Sequence, residues 1–252
     1  MCNQRSRQLW FHPGQGRCDE VPSPQRPKMR LILLGPPGVG KGTQAELLCR
    51  RFRACHLSTG DLFRSASCES ELSPAMQVAL DAMRRGELVS DELVMDLVRE
   101  RSMCLACHGG FLLDGVPRTL PQAQALVELF AQLNVAVDGV ILYELAEEAI
   151  ASRICGRRTC AACKSVFHVE TRPPAVANVC DNCGGVLIQR DDDRPDVVRT
   201  RLAAYRQATQ PLCDFYSARG ELIMVSADGG PEDVFERTCE ALAAYRITTP
   251  CE

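Results

Sequence analysis

The chain has 252 residues, of which 46% are hydrophobic and 24% charged, and its formal net charge is −3. This is ordinary globular composition, and the charge argues against a broad basic surface for DNA or RNA. No apolar run approaches the roughly 20 residues that cross a bilayer, so we expect neither a nucleic-acid nor a membrane partner.

Fifteen cysteines are many for this length. A secreted disulfide scaffold would be shorter and would begin with a signal peptide, and an odd number of cysteines cannot pair completely within one chain. We therefore expect most of them to be small apolar side chains in a reducing, cytoplasmic compartment. Examples are Cys49, Cys55, Cys213 and Cys239.

Residues 1–28 show no strand or helix pattern, and their richness in Arg, Pro, Gln and Gly predicts disorder. The basic residues would suit an organelle transit peptide, but Asp19, Glu20 and the prolines would break its amphipathic helix. A second interpretation is that translation begins at Met29, directly before the first predicted strand.

From Met29 onward, short apolar runs alternate with helical patterns. This alternation predicts a parallel sheet with helices on both faces, which is a three-layer α/β fold. Residues 156–193 depart from it with cysteine pairs, Pro173-Pro174 and Gly184-Gly185, so we expect a small inserted domain there. Buried strands are predicted at 31–34, 111–113, 140–143 and 222–225, and a helix at 41–52.

A glycine-rich loop, Gly35-Pro-Pro-Gly-Val-Gly-Lys-Gly-Thr43, lies between the first predicted strand and helix. Its glycines let successive backbone N–H groups point at one anion, and the N-terminus of the helix adds partial positive charge. Lys41 supplies a full charge for the β- and γ-phosphates of a nucleoside triphosphate. We call residues 35–43 the phosphate loop.

One detail of this loop narrows the class of enzyme. Ser or Thr usually follows the Lys directly, whereas Gly42 does so here and Thr43 comes one position later. Gly-Lys-Gly-Thr-Gln is the form found in nucleoside monophosphate kinases. Over about residues 29–245 the chain resembles the adenylate kinase family, in its long form with a zinc-binding lid.

The resemblance implies Mg²⁺-dependent transfer of a phosphoryl group from ATP to AMP, giving two ADP. It also implies a P-loop core, an AMP-binding insert near 58–89, a lid near 156–193, a tail at 246–252 and a monomeric state. For ATP it implies Gly38, Val39, Gly40, Lys41, Gly42, Thr43, Arg153, Arg157, Val166 and Phe167, the last of these near the base.

For AMP the resemblance implies a second set, in which Thr59 and Gln122 contact the adenine and the arginines hold the phosphate. Alone, the segment Ser58-Thr-Gly-Asp-Leu-Phe-Arg64 would also suit a helix cap. Thr59 favours AMP, because kinases of pyrimidine monophosphates usually have Ala there. The set is Thr59, Arg64, Glu87, Leu88, Val89, Gly115, Arg118, Gln122, Arg190 and Arg201.

The residues expected to act in catalysis stabilise charge and form no covalent intermediate, since phosphoryl transfer mainly requires positioning and neutralisation. Asp114 would organise the waters of Mg²⁺, and the arginines would fork onto phosphate oxygens. The set is Lys41, Asp114, Arg118, Arg157, Arg190 and Arg201, while Arg158, Arg194 and Arg199 stay unassigned and Asp191 to Asp193 are interpreted as a charged hinge.

Four cysteines in the predicted insert have the spacing of a metal site: Cys160-x2-Cys163-x16-Cys180-x2-Cys183. Two tight pairs of thiolates can close a tetrahedron around Zn²⁺, and the metal replaces a core that so small a domain cannot build. We expect structural zinc, with His168 structural. Cys104-x2-Cys107-His108 has the form of a haem attachment site, but its position before a core strand argues against haem.

Other functions stay open at this stage. A different donor such as GTP is one, because the family holds the donor base partly through backbone near Asp228-Gly-Gly, where this chain is a residue short. A pyrimidine acceptor is another. A silent nucleotide sensor or zinc-dependent partner protein would have lost Lys41 or the arginines, which are present. Redox regulation through the lid cysteines is a further possibility.

Overall fold

The computed structural model describes residues 29–52, 54–60, 63, 74–100, 105 and 110–248. Several sequence predictions lie outside these residues and are not tested by the fold. They are the disorder or transit function of residues 1–28, the role of Arg64, the Cys104–Cys107–His108 segment and the last four residues of the tail.

A five-stranded sheet forms the centre of the molecule, and its neighbouring strands all run parallel. The strands are β1 (Met29–Leu34), β2 (Cys55–Ser58), β3 (Gly110–Asp114), β4 (Gly139–Glu144) and β8 (Leu222–Ser226). Their order across the sheet is β2-β3-β1-β4-β8. The four predicted strands are confirmed as β1, β3, β4 and β8, each slightly longer than predicted, and β2 is added at one edge.

The described helices are α1 (Lys41–Phe52), α2 (Pro74–Arg85), α3 (Asp91–Glu100), α4 (Leu120–Gln132), α5 (Glu147–Cys155), α6 (Pro195–Ala204), α7 (Pro211–Ala218) and α8 (Pro231–Thr248). The predicted helix at 41–52 is α1. A π-helical turn at Tyr205–Thr209 joins α6 to α7. None of the described helices combines the length and the apolar character needed to cross a membrane.

The sheet is covered on both faces because side chains alternate along each strand. Leu31 and Leu33 belong to one buried cluster, which includes Leu48 of α1. Ile32 belongs to the other, which includes Leu126 of α4. This gives the predicted three-layer α/β fold, in which near-continuous apolar strands are typical of a parallel sheet buried on both faces.

A second, three-stranded antiparallel sheet is built from β5 (Arg157–Cys160), β6 (Val166–His168) and β7 (Leu187–Ile188), in the order β6-β5-β7. Its buried cluster is small and consists of Cys160, Phe167, Cys180 and Leu187. So few apolar side chains give little hydrophobic stabilisation, and domains with so small a core usually depend on a cross-link such as a metal.

Close packing between β1 and β3 leads to a prediction about stability. Gly110 begins β3 with φ 82°, and a Cβ on it would lie 2.3 Å from the carbonyl oxygen of Met29 in β1. Gly110→Ala should lower the free energy of unfolding by about 1–2 kcal/mol for the positive φ, and further for the overlap. Urea unfolding measures the loss.

Gly220→Ala is the matched control, because Gly220 also has positive φ, at 67°, but nothing lies within 4 Å of its added Cβ. It should lose only the share due to φ. Equal losses in the two variants would contradict the close approach of the strands.

Candidate active site

A cleft of about 870 Å³ opens at the carboxyl edge of the central sheet and extends to the small sheet. The loops that follow parallel strands meet at this edge, which is where ligands bind in open α/β sheets. All ten residues predicted for ATP line this cleft: Gly38, Val39, Gly40, Lys41, Gly42, Thr43, Arg153, Arg157, Val166 and Phe167.

The phosphate loop is pressed against its neighbours, which explains its glycines. A Cβ on Gly35 would lie 2.6 Å from the carbonyl oxygen of Tyr143, and one on Gly38 would lie 2.3 Å from Cγ1 of Ile154. Both glycines also have positive φ, 137° and 81°. Any larger residue would push the loop away from β4 and α5. The sequence Gly-x-x-Gly is therefore required for packing as well as for pointing backbone N–H groups at an anion.

Lys41 begins α1 and turns back over the loop, where its Nζ donates to the carbonyl oxygens of Gly35 at 2.7 Å and Pro36 at 3.0 Å. The pKa of Lys41 is lowered to about 8, chiefly by burial; Asp114 acts in the opposite direction, and Arg118, Arg201 and Arg157 add smaller lowering contributions. Three cations close enough to act on one ammonium group indicate a site built for a polyanion.

Asp114 ends β3 at the floor of the cleft, beside the phosphate loop. Its Oδ2 lies 3.5 Å from Nε2 of His56, and a Cβ on Gly42 would lie 3.8 Å from the same oxygen. The carboxylate therefore lies against the start of α1. Together with the Thr43 hydroxyl, it offers hard oxygen ligands of the kind that Mg²⁺ prefers.

Two of the predicted arginines are held by one buried carboxylate. Asp193 is fully buried, and its oxygens accept bidentate hydrogen bonds from Arg157, one of them 2.8 Å long. Arg201 lies 3.5 Å from the same carboxylate and 2.9 Å from that of Asp192. Burial, with a smaller contribution from Arg157, lowers the pKa of Arg201 to about 10, which again indicates crowded positive charge.

Backbone and hydroxyl contacts hold the other three predicted arginines that line the cleft. Arg190 donates from Nε to the hydroxyl of Thr159 at 2.9 Å, and Arg118 donates from Nε to the carbonyl of Gly115 at 2.9 Å. Arg153 bridges two walls, donating to the carbonyls of Val39 at 3.3 Å and Gly229 at 3.0 Å.

The residues predicted for AMP divide into two groups in the structure. Leu88, Gly115, Arg118, Arg190 and Arg201 line the cleft. The other members that the structure describes lie beside the cleft.

Four of the residues predicted for AMP lie beside the cleft. The buried Thr59 hydroxyl would be 2.6 Å from a Cβ on Gly115, and Gln122 is buried next to Arg118. The side chain of Glu87 pairs with Arg85 in solvent, and Val89 packs against the core. Neither residue is among those that line the cleft, and backbone contacts to AMP, which the resemblance implies for this stretch, stay a prediction.

The four predicted metal ligands come together in the small sheet. The Sγ atoms of Cys160, Cys163, Cys180 and Cys183 all lie within 4.8 Å of one another, and two pairs are 3.5 Å apart. Tetrahedral Zn²⁺ with Zn–S bonds of about 2.3 Å needs sulfurs separated by roughly 3.8 Å, so the donor set fits zinc. His168 lies outside the cluster and instead accepts from the N–H groups of Glu170 and Thr171 through Nδ1.

Sequence reasoning missed several residues of the site. The interpretation of Asp191 to Asp193 as a charged hinge is wrong for Asp193, whose buried carboxylate pairs with two arginines of the cleft. His56 and the π-helical Tyr205 and Thr209 also line the cleft. No sequence motif marks them; His56 and Thr209, for example, meet Asp114 and Arg118, which are far away in the sequence.

Known proteins resemble the chain over nearly all of its described length. The family model for adenylate kinase matches residues 33–221. Adenylate kinase of Caldicellulosiruptor bescii is 46% identical over 87% of this chain and 100% of that protein. Those of Carboxydothermus hydrogenoformans and Salinispora tropica are 44% and 45% identical over 85% and 86% of this chain and 99% of each relative. The chain therefore belongs to the adenylate kinase family.

Proposed function

We propose that the chain transfers the γ-phosphoryl group of ATP reversibly to AMP, giving two ADP, in the cleft at the carboxyl edge of its sheet. The observation that carries the proposal is the convergence of Lys41, Arg118, Arg157 and Arg201 on the phosphate loop. Two nucleotides bring a large negative charge into one site, and this set of cations is suited to neutralising it.

The donor occupies the side of the cleft formed by the phosphate loop. Backbone N–H groups of residues 38–43 and the Lys41 ammonium hold the β- and γ-phosphates. Arg153 and Arg157 approach the same phosphates from α5 and β5, where both line the cleft. Val166 and Phe167 pack against the base, and Arg172 lies 5.9 Å from the ring of Phe167, which helps to hold that ring in place.

The acceptor occupies the opposite side, with its phosphate held by Arg118, Arg190 and Arg201, together with Arg64. The backbone of residues 87–89 and of Gly115 lines the pocket, while Thr59 and Gln122 contact the adenine. An oxygen of the AMP phosphate attacks the γ-phosphorus in line, and the bond to the leaving ADP breaks. No side chain becomes covalently attached, since positioning and charge stabilisation suffice.

Mg²⁺ accompanies ATP, and when bound it neutralises charge on the β- and γ-phosphates. Asp114 and Thr43 would hold it or its water ligands, since both present oxygen beside the phosphate loop.

We also propose that Zn²⁺ occupies the four-cysteine site and has a structural role only. Four thiolates complete the coordination of zinc and leave no open position for substrate. The metal would hold the small sheet together, since its apolar cluster comprises only a few side chains. That sheet carries Arg157, Val166 and Phe167, so a folded lid is required to cover the donor. We propose, in addition, that residues 156–193 form the lid over the donor and that residues 58–89 form the insert that binds the acceptor. The same proposal takes the protein to be a monomer.

Acceptor turnover tests the proposed activity directly. Purified protein with Mg²⁺ and ATP should form ADP with AMP and much more slowly with UMP, CMP or GMP. Lys41→Ala should lower kcat by at least about 100-fold, because a preorganised charge on the transferring group is lost. A coupled ADP assay measures both effects. Turnover with a pyrimidine monophosphate in place of AMP would change the proposed acceptor. No turnover with any acceptor by zinc-loaded protein would refute the proposed enzymatic activity.

The low pKa of Lys41 predicts how ATP binding depends on pH. The free protein loses the Lys41 proton as pH rises through about 8, whereas bound phosphates favour the charged ammonium. Binding above that pH therefore takes up a proton, and affinity should fall by up to about tenfold per pH unit; below pH 8 it should be flat. Calorimetric titration without Mg²⁺ measures the profile.

Lys41→Arg is the control for this profile, because a guanidinium stays charged throughout the range. Its ATP affinity should change little between pH 7 and pH 9. The same slope in both proteins would assign the pH dependence to another group.

Metal content tests the zinc site. The chain should contain about one Zn²⁺ by elemental analysis, and a chelator should lower the melting temperature and abolish turnover until zinc is restored. Cys180→Ser should reproduce this loss. Cys155→Ser is the matched control, since Cys155 is an exposed thiol near the same sheet but outside the cluster. Full activity in metal-free protein would contradict a structural role.

A further inference from the structure

The side-chain amide of Gln122, in the first turn of α4, is engaged at both ends. Its Oε1 accepts the backbone N–H of Arg118 at 2.7 Å, and its Nε2 donates to Oδ1 of Asp91 at 2.7 Å. The residue is only 1% exposed. Asp91 begins α3, 31 positions earlier in the chain, and no motif marks it.

These partners permit only one orientation of the amide. A backbone N–H can only donate and a carboxylate can only accept, so exchanging Oε1 and Nε2 would turn both contacts into repulsions. Asp91 is itself held, because the hydroxyl of Thr119 donates to the same Oδ1 at 2.9 Å. That hydroxyl accepts the N–H of Gln122 at 3.3 Å, so its proton is directed towards Asp91.

The oriented amide keeps hydrogen-bonding capacity for a ligand. A primary amide has two N–H donors and two acceptor positions on its oxygen. The contacts of Gln122 with described residues use one of each, which leaves one acceptor position on Oε1 and one N–H on Nε2. This pair complements adenine, which presents an exocyclic N–H donor beside a ring-nitrogen acceptor. Guanine replaces that donor with the acceptor O6, so it offers the wrong partner to Oε1.

We infer that Asp91 is a positioning residue that fixes the Gln122 amide and thereby selects adenine over guanine at the acceptor site. The inference rests on the proposed function, in which Gln122 contacts the base of AMP. Asp91 acts through Gln122 and touches no reacting atom.

The same contacts join base recognition to phosphate binding. The Arg118 N–H donates to Gln122, while the Arg118 carbonyl accepts the hydroxyl of Thr209 in the π-helical turn at 2.8 Å. The backbone that carries the Arg118 guanidinium is therefore held from two sides. A loss at Asp91 that merely loosened this backbone would weaken every acceptor equally, whereas a loss of amide orientation would change the preference between bases.

Three variants separate these effects. Asp91→Ala removes the acceptor oxygen, and Asp91→Asn keeps an oxygen in the place of Oδ1, which is the atom that both contacts use. Glu92→Ala removes an exposed carboxylate from the same first turn of α3 and is the matched control. For each protein, kcat/KM is measured with AMP and with GMP, together with the inhibition constant of GMP against AMP. Melting temperature and zinc content verify folding.

The AMP-to-GMP ratio of kcat/KM should fall about tenfold in Asp91→Ala, the effect of one hydrogen bond to a charged acceptor. GMP should become a correspondingly stronger inhibitor. The ratio should stay near that of the unchanged protein in Asp91→Asn and Glu92→Ala. An unchanged ratio in Asp91→Ala, or equal losses with both acceptors, overturns the inference. Turnover of AMP by the unchanged protein tests the proposed function separately, so the two failures are distinguishable.

Discussion

The buried carboxylate of Asp193 is the contact on which the charged cleft depends. Several cations share this space: burial is the main cause of the lowered pKa values of Lys41 and Arg201, and neighbouring arginines make smaller lowering contributions. Asp193 accepts hydrogen bonds from Arg157 and lies beside Arg201, so it offsets part of the repulsion between these cations. Burying a carboxylate is costly unless it is paired, and here the pairing also aims the guanidinium groups. The guanidinium groups that would bind an anion are therefore already oriented by contacts within the protein.

The parallel sheet makes that arrangement possible. The phosphate loop follows β1, Ser58 ends β2 and is followed by Thr59, and Asp114 ends β3. Parallel strands bring these three chain ends to one edge, although they are far apart in sequence. Close approach of backbones at Gly35 and Gly38 then keeps the phosphate loop against β4 and α5. Core packing and the binding site thus impose the same requirement on these glycines.

Features carried by short stretches of sequence could be predicted. Apolar runs predicted four of the five strands of the central sheet, and the spacing of Gly and Lys predicted a loop that indeed lines the cleft. The two cysteine pairs come together as their spacing requires. In each case the chemistry is set by residues that are close in the chain, so a pattern contains the necessary information. The roles of Arg64 and of the other acceptor residues stay predictions, based on the family resemblance.

Features that depend on distant partners could not be predicted. Asp191, Asp192 and Asp193 form a run of like charges, which is usually a solvated surface, and only the fold reveals that Asp193 is buried against Arg157. Asp91 is likewise an ordinary acidic residue in the first turn of a helix, where its negative charge interacts favourably with the helix dipole. Its contact with Gln122 arises because α3 packs against α4.

Asp193 and Asp91 have comparable positions in the chemistry of the cleft. In the proposed function neither needs to touch a nucleotide, yet each would determine how a neighbouring side chain meets one. Asp193 would hold arginines for the phosphates, and Asp91 would hold an amide for the base. Charge attracts any nucleotide, whereas a fixed donor and acceptor distinguish between bases, because a mismatched base leaves a buried polar group unpaired. Affinity and selectivity therefore have separate supports in this fold, and a change at one acidic residue should leave the function of the other largely intact.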